Sequence, residues 1–127
     1  NIIFHGKLKR EDINHVFLNS DIYIQASNYE GLPHSFLEAM SFGIPVLSTP
    51  VGECTEILKN EEIGYMLDLP VTKESIKSKI VEIISQKDIA NIKGQKGRDF
   101  VFEKYDFKNT LKLYKNLFEK LLKDENK

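Results

Sequence analysis

The chain has 127 residues, of which 41% are hydrophobic and 29% charged, and its net charge is −1. That length fits one domain with a buried core, and the balanced charge excludes an overall field that would draw the molecule to nucleic acid or to an anionic membrane. Cys54 is the single cysteine, which excludes an internal disulfide and a cysteine-based metal cluster; no apolar run could span a bilayer and no secretory signal is visible, so a cytoplasmic setting is expected.

The sequence starts at Asn1 and enters the apolar run Ile2-Ile3-Phe4 at once, which predicts an internal segment of a longer protein. Ile2–His5 reads as a short buried strand stopped by Gly6. Arg10–Asn19 reads as a helix with Ile13, Val16 and Phe17 on one face. Asp21–Ala26 alternates, is rich in Ile and Tyr, and reads as a strand. Ser27–Leu32 is a loop, and Pro33–Phe42 a helix ended by Gly43 in the left-handed conformation. Pro45–Thr49 reads as a strand, Pro50–Glu53 as a turn, Cys54–Lys59 as a short helix, and Gly64–Leu69 as a strand closed by Pro70.

Thr72 is the expected N-cap of a helix carrying Ile76, Ile80, Ile83 and Ile84 at helical spacing. Further helices are expected over Asp88–Tyr105 and Phe107–Lys123. The last places Leu111, Tyr114, Leu117, Phe118, Leu121 and Leu122 on one face and frays over Lys123–Lys127. Strands alternating with helices imply right-handed βαβ units and a parallel sheet with flanking helices. The expected organisation is a single domain over 1–127, with an α/β part to about residue 70 and a helical part from about 71 packed over the sheet.

The most informative stretch runs from Glu30 to Met40, Glu-Gly-Leu-Pro-His-Ser-Phe-Leu-Glu-Ala-Met. It sets two carboxylates eight residues apart across a loop that opens a helix. Pro33 suits the first helical turn, where its missing N–H costs nothing. The amides of Gly31, Leu32, His34 and Ser35 then converge at the positive end of the helix, a spot suited to phosphate. A carboxylate on either side would hold hydroxyls, so a phosphorylated, polyhydroxylated ligand is expected. In an open parallel sheet ligands sit beyond the carboxyl ends of the strands, which is where this loop and the Pro50-Val51-Gly52 turn both belong.

Other readings stand beside these. Glu30 and Glu38 taken alone are acids stabilised by a helix dipole, or a glycosidase pair, although a hydrolase needs a defined separation across the scissile bond. His34 either carries a proton or bonds a ligand hydroxyl, or is a surface residue. Ser27 bonds the motif loop or simply ends a strand. Cys54 is a small filler or a reactive thiol. Lys108, Lys112, Lys115, Lys120 and Lys123 are the wet face of a packed helix or a contact with anionic lipid.

The ordered motifs resemble the C-terminal part of a retaining glycosyltransferase of the GT-B fold, family 4 type. Phe4-His5-Gly6 resembles a family strand ending in Gly, and Asp21–Ser27 the strand ending in Pro-Ser. Glu30–Met40 matches the E-x7-E motif, and Gly43-Ile44-Pro45-Val46 the Gly-x-Pro-Val strand entry. Val51–Glu56 resembles the Gly-Gly-x-x-Glu turn, and Gly64–Leu67 the Gly-Leu-Leu-Val strand.

The resemblance implies a Rossmann-like donor-binding half that uses a nucleoside diphosphate sugar, with a UDP-sugar the favoured class, and needs no metal or other cofactor. It implies that Glu30 is the catalytic carboxylate at the donor sugar. Gly31, Leu32, Pro33, His34, Ser35, Glu38, Gly52 and Glu56 would bind the donor, Glu38 through the ribose. It further implies an N-terminal acceptor-binding domain outside this chain, peripheral membrane association of the intact enzyme, and polysaccharide or glycolipid synthesis in a bacterium. The isolated chain is expected to be inactive. The alternative is a non-catalytic nucleotide-sugar-binding or interaction module.

Three departures from the family pattern stand out. Glu53 occupies the second Gly position, His34-Ser35 replaces the usual Gly-apolar pair, and the Arg and Lys that clamp the diphosphate fall upstream of Asn1.

Overall fold

The computed structural model describes residues 1–59 and 62–124. Helix α1 spans Arg10–Leu18, strand β1 Tyr23–Gln25, helix α2 His34–Ser41, strand β2 Val46–Ser48 and helix α3 Glu53–Ile57. Strand β3 covers Tyr65–Met66, and the chain finishes with helices α4 (Lys73–Ser85), α5 (Lys87–Lys104) and α6 (Phe107–Asp124). The sheet is parallel in the order β1-β2-β3, with Tyr23 opposite Val46 and Leu47 opposite Tyr65.

Strand β2 is buried at all three positions, as a central parallel strand covered on both faces should be, whereas Ile24 of the edge strand β1 is 40% exposed. On one face Phe36, Ala39 and Met40 of α2 join Val46, Cys54, Leu58 and Phe17 of α1 in the main core. On the other, Leu47, Tyr65 and Leu67 meet Ile83 of α4 and Ala90 of α5. Helix α5 serves both faces, because its far end adds Phe100 and Val101 to the first cluster. Its approach to α2 depends on two small residues. A side chain at Gly94 would run into the Gly43 carbonyl, and one at Gly97 would lie 2.9 Å from the Ile63 carbonyl oxygen.

Local signals match the elements they predicted. Gly43 has φ 75° and donates to the Met40 carbonyl, closing α2. Thr72 caps α4 by accepting from the Ser75 amide at 3.0 Å, while Ser75 Oγ accepts from the Thr72 amide at 2.9 Å. Pro33 sits one residue earlier than expected, at the N-cap of α2, with its carbonyl accepting from Leu37.

Four expectations need correction. Ile2–His5 is not a buried strand: no neighbour in the described residues pairs with it, and Phe4 is 92% exposed. Ile84 faces outward because the second core closes at Ile83 and Ala90. The strand expected over Gly64–Leu69 keeps only Tyr65–Met66, since Leu67 adds one further bond, to the Ser48 carbonyl, before the chain turns away. The helical part packs over the sheet through α4 and α5 alone, and Phe107–Lys123 of α6 is exposed at every position. The fraying expected over Lys123–Lys127 lies, for 125–127, outside the described residues. No described helix is long and apolar enough to cross a membrane.

Candidate functional site

Beyond the carboxyl ends of β1 and β2, two loops are tied together by backbone geometry. The Thr49 amide donates to the Gln25 carbonyl at 3.1 Å, and Thr49 Oγ1 donates to the Ser27 carbonyl at 2.6 Å. The Glu53 amide donates to the Gly31 carbonyl at 3.2 Å. Gly52 lies between these ties with φ 52°, and a Cβ there would collide with the Glu30 carbonyl and come within 2.7 Å of the Gly31 carbonyl oxygen. Glycine is required on both counts, conformation and close approach. The loop carrying the first carboxylate and the turn after β2 therefore form one wall, as topology predicted.

Ser27 Oγ donates to Glu30 Oε1 at 2.7 Å, so Ser27 does bond the motif loop and fixes the carboxylate from the strand end. Eight residues on, Glu38 lies on α2 and is only partly buried, and its Oε1 accepts from the Arg10 guanidinium of α1. Tyr23 of β1 reaches the first turn of α2. Its hydroxyl lies 2.8 Å from Ser35 Oγ and 3.0 Å from Gln25 Oε1. Burial raises its pKa above the ordinary tyrosine value; the Ser35 hydrogen bond opposes the rise, and Glu30, Cys54 and Glu38 add to it. The phenol therefore stays protonated at neutral pH, and its proton is donated to Gln25 Oε1.

Helix α2 starts without a side-chain cap and without an acidic residue in its first turn. Its first amides, with the positive end of the dipole behind them, open beside Gly31 and Leu32. His34 and Ser35 sit on this turn with exposed side chains, while Pro33 is buried beneath it. Glu56 lies exposed on α3, 3.9 Å from Lys59. Cys54 is fully buried and accepts from Gln25 Nε2 at 3.7 Å. Burial raises its thiol pKa, with Ser48 opposing and Glu30 adding, which makes it a filler rather than a nucleophile.

Tyr23, Gln25 and Arg10 escaped the sequence reading as site residues. A signal existed for the first two, because Tyr23 and Gln25 share the face of an alternating strand that leads into the motif loop. Nothing local marks Arg10, whose partner lies 28 positions away.

Residues 1–100 match the family described as glycosyl transferases, group 1. A glycosyltransferase of Methanocaldococcus jannaschii, itself uncharacterized, is 32% identical over 123 residues, covering 95% of this chain and 31% of that protein. Sucrose-phosphate synthase from Thermosynechococcus elongatus superimposes with a TM-score of 0.86 at 22% identity, over 96% of this chain and 30% of that one. Anabaena HepE, solved in complex with UDP, gives a TM-score of 0.74 at 18% identity, over 90% of this chain and 30% of HepE. The chain belongs to the group 1 glycosyl transferases and has the parallel sheet and flanking helices of the GT-B structures it resembles. It spans about a third of the length of these relatives.

Proposed function

We propose that the protein carrying this chain transfers a sugar from a nucleoside diphosphate sugar to a hydroxyl acceptor with retention at the anomeric carbon, and that residues 1–127 hold the donor. The observation that carries this reading is the pair of carboxylates, Glu30 held by Ser27 and Glu38 held by Arg10, with the uncapped start of α2 between them in the chain. The α2 amides receive the diphosphate, where a helix N-terminus favours an anion. Glu38 accepts hydrogen bonds from the ribose hydroxyls. Glu30, held by Ser27, positions the donor sugar and stabilises positive charge developing at its anomeric carbon.

In the transfer the bond from the anomeric carbon to the diphosphate oxygen breaks. A bond to the acceptor oxygen forms on the same face, and the acceptor proton leaves with the diphosphate. The acceptor is bound by an N-terminal domain outside this chain, so the isolated chain does not turn over. HepE binds UDP, which supports a uridine diphosphate donor. Polysaccharide or glycolipid assembly is the proposed setting.

Titration of the labelled protein with UDP-, GDP- and ADP-sugars tests the reading by amide NMR. Shifts in Gly31–Glu38 and Val51–Glu56 for one nucleotide class are expected; a well-dispersed spectrum that no sugar nucleotide shifts would overturn it. In the intact enzyme, Glu38→Ala should weaken sugar nucleotide and free nucleotide alike, by about tenfold or more, since both carry the ribose. Glu30→Gln should instead lower kcat with little change in nucleotide affinity.

A further inference from the structure

Arg10 opens α1, and a cation at the first position of a helix faces the positive end of the dipole. Glu11 and Asp12 already supply the anions that such an end prefers, so the guanidinium adds nothing to the helix it belongs to. It reaches instead across to Glu38 on α2 and donates to Oε1. The pair is uneven: the Arg10 side chain is 71% exposed and that of Glu38 30%. An ion pair this open contributes little to folding. What it does do is hold one oxygen of a carboxylate that stands at the edge of the crevice. Oε2 and the remaining lone pairs stay available to a pair of hydroxyls.

We propose that Arg10 is the positioning residue for ribose recognition: its planar guanidinium holds the Glu38 side chain in the orientation that presents the carboxylate to the 2′,3′-diol of a nucleotide. This rests on the reading of Glu38 as the ribose acceptor. A guanidinium presents its donors in a fixed plane, whereas an ammonium is a point charge on a flexible stem, so Arg10→Lys keeps the charge and loses the orientation.

The test measures binding to the intact protein of UDP, GDP and ADP, each beside its 2′,3′-dideoxy analogue. The parent is expected to prefer the ribose form of one nucleotide by about tenfold or more. Arg10→Met should remove most of that preference while leaving affinity for the dideoxy analogue unchanged, which also shows that the variant is folded. Arg10→Lys should fall between the two. In Glu38→Gln, where the preference is already lost, adding Arg10→Met should change nothing further.

A preference that survives Arg10→Met overturns the inference and leaves Glu38 as the ribose residue. Equal loss for ribose and dideoxy forms also overturns it, by making Arg10 a contact to the diphosphate. A parent without any ribose preference overturns the role of Glu38 and the inference with it.

Discussion

Helices α2 and α6 both present an apolar face at helical spacing, yet Phe36 of α2 is fully buried and Phe118 of α6 is 60% exposed. Helix α2 has eight residues and is closed in by β1 and β2, its neighbours in the chain, and by α5, which is remote in sequence. Helix α6 has eighteen, and its internal contacts are short-range ones such as Tyr114 stacked on Phe118 at 6.5 Å and Lys115 with Glu119 at 3.9 Å. An amphipathic pattern states that a helix has a side to hide; it does not say whether this fold supplies the cover. The segment Ile2–Phe4 teaches the same, being as apolar as β2 and fully open to solvent.

The contrast is sharpest as a matched pair of truncations in the 127-residue chain. Phe36→Ala should cost about 3–5 kcal/mol of unfolding free energy. Phe118→Ala should cost less than about 0.5 kcal/mol. Denaturant titration measures both, and similar losses would mean that α6 is packed in solution.

A smaller effect is expected where the two loops meet. Gly52→Ala forces a side chain against the Glu30 and Gly31 carbonyls at a positive φ, which should cost about 1–3 kcal/mol and weaken nucleotide binding. A Gly6→Ala control also sits at positive φ but meets no atom within 4 Å, so it isolates the backbone strain from the collision. Equal losses at the two positions would show that close approach adds nothing at Gly52.

The smallest expected effect is on alkaline stability. The folded pKa values of Cys54 and Tyr23 lie above their ordinary values, so the native state holds these protons more tightly than the unfolded chain. Their contribution is complete below about pH 9 and is lost as pH rises through the folded values. Tyr23→Phe should flatten the upper part of that decline, which a pH series of melting temperatures would read; an unchanged decline would remove Tyr23 from it.

Much of this site was legible because it is built from local physics. A Pro before a good helix-forming run sets where α2 begins, and the spacing of Glu30 and Glu38 brings both to that start. Gly43 and Thr72 act on backbone groups within a few residues of themselves, so each is readable without a fold. Phe4 shows the limit: its place in an apolar run suggested a buried strand, but the side chain is 92% exposed. Ile84 shows another, since helical spacing groups it with Ile83 while the core beneath reaches only one of them.

From Arg10 onward the chain by itself therefore determined the order and type of its elements, with one carboxylate before the start of α2 and one within it, because backbone conformation depends mostly on neighbouring residues. Only the tertiary structure decided that Arg10 holds Glu38, that Gly52 must be bare against the motif loop, and that α6 lies uncovered. Those outcomes depend on which groups meet through space, and a residue's neighbours in the chain carry no record of that.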